Sequence, residues 1–220
     1  MLQWDTEYDE PYIPLGDGIR ITPLRFDDVE TWWELYSEKG ISDNNIRNPK
    51  PLPRELAERQ VVEKMETARP FLGQLQALRS TGTKKKVWVI GGCPFHVIRN
   101  DSGKIIDVPF PPPEPLSQYA HVNQTWDLGY NVSSQYTGRG IAKAAVKGLV
   151  DDWCVPFMRL RRISAGAKAM DEASHAVLRK AGLREVFRYP RTLPQELGGV
   201  TFEAIKFVKE LPPSLSHATT

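Results

Sequence analysis

The chain has 220 residues, 40% hydrophobic, 25% charged and 10% aromatic, with a formal net charge of +2. That is enough apolar material for one sizeable core, and too little net charge for a nucleic-acid or membrane footprint. No apolar run approaches the length of a membrane span, MLQWDTEYDE contains no secretory apolar stretch, and Cys93 and Cys154 are expected as reduced, structural thiols in a cytoplasmic setting.

Residues 1–17 carry aromatics, acids and prolines without a period and are expected to form an N-terminal arm. Residues 18–24 (GIRITPL) predict a first strand. Asp27 and Asp28 then open a helix with Val29, Trp32, Trp33 and Tyr36 on one apolar face. Residues 39–53 are polar and proline-broken, which predicts a loop, and residues 54–69 predict a second amphipathic helix. Residues 86–90 (KVWVI) and 95–99 (FHVIR) predict two strands, with a hairpin turn available at Gly91, Gly92 and Pro94. Residues 107–117 (DVPFPPPEPLS) lack backbone donors at every proline, so they predict a stiff excursion: either an exposed insertion or a wall beside a substrate.

From there strands and helices alternate. Residues 126–132 (WDLGYNV) predict a strand running into a glycine turn. Residues 140–153 predict a helix with Ala142, Ala145, Val146, Leu149 and Trp153 on one stripe. A strand at 160–167 and a helix at 171–181 follow, the helix stopped by Gly182 where a left-handed C-cap belongs. Strands at 184–189 and 201–208 complete the pattern, and residues 211–220 are expected as a flexible tail. No linker or repeat divides the chain, so residues 18–210 read as a single mixed α/β domain.

The glycine turn QYTGRG is the most informative stretch. A nucleotide-triphosphate P-loop needs its glycines farther apart, followed by Lys and Ser/Thr, whereas Lys143 precedes Ala144 here. The dinucleotide fingerprint needs a third glycine where Lys143 stands. What remains is a strand, two glycines that allow close backbone approach, and a helix start whose free N–H groups favour an anion. A phosphate or pyrophosphate suits that arrangement; an ordinary strand-to-helix turn using glycine for shape is the alternative.

A second motif separates these readings. Gln135, Gly138 and Gly140, continued by Ile141 and Ala142, match the Gln/Arg-x-x-Gly-x-Gly/Ala signature of the GNAT superfamily of acyl-CoA-dependent N-acyltransferases. Farther on, Asp171, Glu172, Ala173 and Ser174, then Val177, Leu178, Lys180, Gly182 and Leu183, resemble that family's Asn-x-Ala-Ser and Lys-x-Gly-Phe segments. The resemblance covers residues 126–189, and the WDLGY strand looks most like the branch that includes ribosomal-protein N-terminal acetyltransferases. It implies an α/β (α+β) fold with a mixed, mostly antiparallel twisted sheet and helices on both faces.

It also implies a ligand, acetyl-CoA, and a set of roles. Tyr130, Asn131 and Val132 would lie along the pantetheine arm, in a gap where their strand splays from its neighbour. Gln135, Tyr136, Thr137, Gly138, Arg139, Gly140, Ile141 and Ala142 would hold the pyrophosphate, and Asp171 and Ser174 would approach the thiol end. Asp127 stands where the related branch has Glu, as base or amine-orienting carboxylate; a salt-bridged surface carboxylate is the other reading. Ser174 is expected to protonate or bind the sulfur, or else simply to satisfy the helix start. Leu178 stands where many members have a catalytic tyrosine, and Asp171 replaces the common Asn.

The remaining candidates read blandly. His96, His121 and His175 share no metal-ligand spacing, so no metal is expected, and only His121 is a candidate base. Trp32, Trp33 and Tyr36 are expected in the core, and Lys84–Lys86 as a solvated turn. The expected function is transfer of an acetyl group from acetyl-CoA to the primary amine of a small molecule or protein N-terminus, without nucleic-acid or membrane partners. A catalytically silent acyl-CoA-binding module is the alternative.

Overall fold

The computed structural model describes residues 1–44, 48–81, 92–109, 125–132, 136, 138–158, 160–193, 195 and 198–211. The expected strand at 86–90, most of the proline-rich excursion, His121, the Lys84–Lys86 turn and the residues after 211 lie outside them.

Residues 1–17 are not an arm. They supply β1 (Gln3–Asp5) and β2 (Glu10–Gly16), a hairpin that pairs through β2 with β3 (Ile19–Thr22). The period was hidden because two prolines sit inside β2, yet Ile13 is fully buried opposite Ile21. A 3-10 turn (Phe26–Asp28) leads into α1 (Val29–Ser37). The expected loop at 39–53 contains a short helix, α2 (Lys39–Asn44).

The next helix, α3, runs Arg54–Thr81, well past its expected end at residue 69. It continues through Pro70 because its second half is anchored by tertiary contacts. Leu75 is buried in the core, and the Arg79 guanidinium donates to Asp9 Oδ1 at 2.9 Å while lying 4.6 Å over the Trp4 ring. Propensity alone would have broken the helix there.

β4 (Val97–Arg99) and β5 (Ile105–Pro109) follow, then β6 (Thr125–Leu128) and β7 (Tyr130–Val132). The helix after the glycine turn, α4 (Ile141–Leu149), passes into a π-helical segment (Val150–Cys154), and the whole expected stripe is buried. β8 (Arg162–Lys168), α5 (Glu172–Lys180), β9 (Arg184–Thr192) and β10 (Thr201–Glu210) complete the described chain. Gly182 closes α5 in the left-handed conformation, with Leu183 N–H donating to Leu178 O.

The described strands form two mostly antiparallel sheets, ordered β1-β2-β3-β4-β5-β7 and β6-β8-β10-β9. Both faces of the first are covered. Val97 and Ile105 join a cluster with Trp32, Leu35, Ala57 and Val61 from α1 and α3, whereas their neighbours Ile98 and Ile106 join the main core with Ala145, Val146 and Leu149 of α4. Successive strand residues point to opposite faces, so this alternation requires helices on both. Burial pushes the Cys93 thiol up to about 12 and raises Cys154 as well, which keeps both as inert core side chains.

Candidate active site

The site begins with a change of partner. β6 runs parallel to β8, from Thr125↔Arg162 to Leu128↔Ala165. At Gly129 the chain leaves that ladder, and β7 pairs instead with β5, through Pro109↔Tyr130, Val108↔Asn131 and Asp107↔Val132. The seven-residue strand expected at 126–132 is therefore split between two sheets. Past Ala165, β8 continues through Gly166, Ala167 and Lys168 with β10 as its one partner among the described residues. Among the described residues no ladder joins β7 to the second half of β8, so the backbone amide and carbonyl groups facing each other there have no strand partner.

The chain passes from β7 through residues 133–140 into α4. Gly138 and Gly140 both adopt left-handed backbone conformations, with φ of +75° and +78°, where an L-side chain is strained. A Cβ built on either meets no atom within 4 Å, so backbone conformation, not crowding, calls for glycine. Gly140 is the N-cap of α4 and offers no side chain to the first amides of the helix. The Arg139 guanidinium lies 5.5 Å over the ring of Tyr136, which packs on the main core. Gln135 and Thr137, expected in this loop, lie outside the described residues.

Asp127 projects from β6 between buried Trp126 and Leu128, and is 63% exposed. Its Oδ1 accepts from Lys206 Nζ at 2.6 Å and from Ser164 Oγ at 2.7 Å. The carboxylate is thus both ion-paired and open to solvent. Ser164 and Lys206 lie 37 and 79 residues away in the chain, and sequence reasoning passed over both. The one available signal was the alternation in RISAGAK, which sets Ser164, Gly166 and Lys168 on one face of β8.

Asp171 is the N-cap of α5, and its carboxylate accepts the Ser174 N–H at 3.0 Å and the Ser174 hydroxyl at 2.7 Å. This accounts for an acid where the resemblance leads one to expect Asn: both bonds need an acceptor, and a carboxylate supplies two. Leu178 is buried in the main core.

Asp127 and Ser174 are not brought together. His175, next to Ser174, lies 5.4 Å from the Phe207 ring, whereas Asp127 bonds Lys206. Phe207 and Lys206 are neighbours on β10 and point to opposite faces. The carboxylate and the serine therefore belong to opposite sides of the four-stranded sheet.

The histidines take structural positions. His96 is buried, and its ring nitrogens have no hydrogen-bond partner among the described residues. Burial, followed by the positive charge of Lys64, lowers its pKa to about 3 against a smaller contribution from the Pro94 backbone, which leaves the ring neutral. The His175 ring sits 3.0 Å from the Lys168 carbonyl. Among the described residues no three His, Cys, Asp or Glu side chains come together as a metal site, and no helix is long and apolar enough to cross a membrane. Trp32 is buried in the second cluster and Trp33 packs partly buried against it; their indoles donate to Gln60 Oε1 and Leu52 O.

Residues 19–184 match the family described as acetyltransferase (GNAT) domain. No curated protein sequence matches the chain. Among solved structures, it is similar to RimL, a ribosomal L7/L12 alpha-N-protein acetyltransferase, with 15% identity over 96% of this chain and 100% of that one, at a TM-score of 0.65. It is also similar to a ribosomal-protein-S5-alanine acetyltransferase from Vibrio fischeri, with 18% identity over 90% and 96% and a TM-score of 0.61. The microcin C7 self-immunity acetyltransferase MccE, solved with acetyl-CoA and AMP, is 15% identical over 90% and 94%, with a TM-score of 0.63.

Proposed function

The chain belongs to the GNAT acetyltransferase family, and from that premise we propose that it transfers an acetyl group from acetyl-CoA to a primary amine. One observation supports the reading: the exchange of partners at Gly129 leaves backbone groups of β7 and the far half of β8 without a shared ladder, just before two left-handed glycines and the uncapped N-terminus of α4. An extended ligand with amides at one end and a diphosphate at the other matches both halves. The amides of β7, from Tyr130, Asn131 and Val132, pair with the pantetheine. The loop of Gln135, Tyr136, Thr137, Gly138, Arg139 and Gly140, with the first turn at Ile141 and Ala142, holds the diphosphate. Each favourable anion contact at the helix end contributes about 0.3–1 kcal/mol.

The amine attacks the thioester carbon directly. A backbone N–H among these unpaired groups stabilises the charge that develops on the carbonyl oxygen. Asp127 receives the proton that the amine nitrogen loses, directly or through water, while Lys206 and Ser164 hold its carboxylate in place. The C–S bond then breaks and coenzyme A departs as a thiolate that takes a proton from solvent. Ser174 and Asp171 stand on the opposite face, toward the sulfur. The acceptor is the amine of a small molecule or of a protein N-terminus. RimL and the Vibrio fischeri enzyme are ribosomal-protein acetyltransferases, and peptides are accordingly the first acceptors to test.

A specific observation favours a second reading, a silent acyl-CoA-binding module. The Ser174 hydroxyl donates to Asp171, Asp127 is ion-paired, and the position of the missing tyrosine is a buried leucine. One experiment separates the two. Coenzyme A affinity is measured by calorimetry. Thiol release from acetyl-CoA is then followed over hexapeptides with free N-terminal alanine or serine, spermidine and glucosamine. Turnover with at least one amine is expected. Asp127→Asn should lower kcat/KM about 100-fold at unchanged acetyl-CoA affinity, and Ser174→Ala should lower it less than tenfold. Binding without turnover would leave the silent module; absence of coenzyme A binding at millimolar concentration would sink both.

A further inference from the structure

β9 forms the edge of the four-stranded sheet, and its aromatic residues share a face with Asp127. Lys206, whose ammonium reaches Asp127, pairs across the ladder with Phe187; Ala204, two residues along, pairs with Tyr189. Residues on one rung project to the same face, so Phe187 and Tyr189 lie on the Asp127 side, with ring centroids 5.6 Å apart. The Tyr189 ring leans across β10 toward β8. A Cβ built on Gly166 would lie 3.0 Å from the Tyr189 hydroxyl oxygen, with no other atom within 4 Å. The phenol can reach this point because Gly166 has no side chain.

Gly166 is the first residue of β8 beyond the last β6 rung, Leu128↔Ala165. The hydroxyl therefore stands where β8 loses its β6 partner. Asp127 pairs with Ser164, two residues back along β8, about 7 Å at strand spacing. The Tyr189 hydroxyl has no hydrogen-bond partner among the described residues, and the side chain is half-buried. Asp127 and Tyr189 thus share the face away from α5, near the place where β6 and β8 part.

We propose that Tyr189 contacts the acceptor, its hydroxyl oxygen accepting a hydrogen bond from the incoming amine opposite Asp127. The assignment rests on the acetyl-transfer reading. A neutral primary amine has two N–H groups and one lone pair. With one N–H on the Tyr189 oxygen and the other on Asp127 or its water, the lone pair is turned toward the thioester carbon. The C–N bond forms, the C–S bond breaks, the surplus nitrogen proton passes to Asp127, and coenzyme A leaves as a thiolate that takes a proton from solvent. Phe187 adds an apolar wall beside the acceptor.

The test uses the amine of the panel turned over fastest, with Tyr189→Phe and Gly166→Ala as variants. Tyr189→Phe removes one oxygen and keeps the ring; Gly166→Ala shifts the hydroxyl by a few tenths of an ångström. Tyr189→Phe should raise the acceptor KM about fivefold to tenfold, the worth of one hydrogen bond, and Gly166→Ala should raise it by less, with kcat and acetyl-CoA affinity within about twofold of the unmodified protein in both. An unchanged acceptor KM in Tyr189→Phe, or a change confined to kcat or to acetyl-CoA affinity, overturns the assignment and leaves acetyl transfer standing. An unmodified protein that binds acetyl-CoA but acetylates none of the amines overturns both.

Discussion

Gly140 shows what one residue contributes to the site. At φ +78° it turns the chain into α4 and leaves the first helical amides without a side-chain cap. Alanine in that conformation is strained by about 1–2 kcal/mol, and there is no clash to add to it. Gly140→Ala should therefore rotate the turn, not unfold the domain: coenzyme A affinity falls about tenfold by calorimetry, while the thermal midpoint moves by only a few degrees. Undiminished affinity would mean that the turn does not grip the diphosphate. Chemistry at the other end is equally local. The Ser174 proton is directed at Asp171, and Asp127 shares one oxygen between Lys206 and Ser164. The left-handed glycines were legible in the sequence from their residue type, whereas Asp127 was singled out only by the resemblance, which has Glu there. The partners of Asp127 were not, because contacts across 37 and 79 residues leave no local trace.

Between elements, one buried ion pair joins the strands to the first helix. Arg99 on β4 is almost wholly buried and pairs through both terminal nitrogens with Asp28, at 2.6 and 2.5 Å, just before α1. It also donates to Thr22 Oγ1 and to the Pro23 and Gly103 carbonyls, while Asp28 accepts the Arg25 N–H. Every strong donor is matched, which is the condition for tolerating such charges away from water. Asp28→Asn leaves the guanidinium buried beside a neutral amide and should cost about 3–5 kcal/mol in urea unfolding. A loss below about 1 kcal/mol would show that water reaches the pair. The sequence marked Asp28 as a helix start, which it is; that it neutralises Arg99, 71 residues on, follows only from β3–β4 pairing.

At the scale of the molecule, the N-terminal hairpin is part of the platform that carries α4. Ile13 is fully buried in the main core, and a Cβ built on Gly148 of α4 would sit 3.1 Å from Ile13 Cγ2 and from Leu15 Cδ2. The helix packs this closely on β2 because Gly148 has no side chain, and the same contact helps to fix the axis of α4 on the sheet. Ile13→Ala should therefore destabilise the protein by about 2–5 kcal/mol in denaturant unfolding. A free arm would give no change.

The sequence by itself determined the alternation of strands and helices after residue 126, the glycine turn and the apolar stripe of α4, because these depend on period and on residue types with restricted backbone preferences. It misjudged residues 1–17 and the end of α3, where buried contacts from distant segments overrode prolines that locally argue for a stop. Only the tertiary structure decided that the 126–132 strand changes sheets at Gly129, that Asp127 and Ser174 stand on opposite faces, and that Tyr189 reaches over Gly166. Each of these is a relation between strands far apart in the chain, set by which ladder each one joins, and pairing of that kind is written in the packing of the whole core, not in any single window of residues.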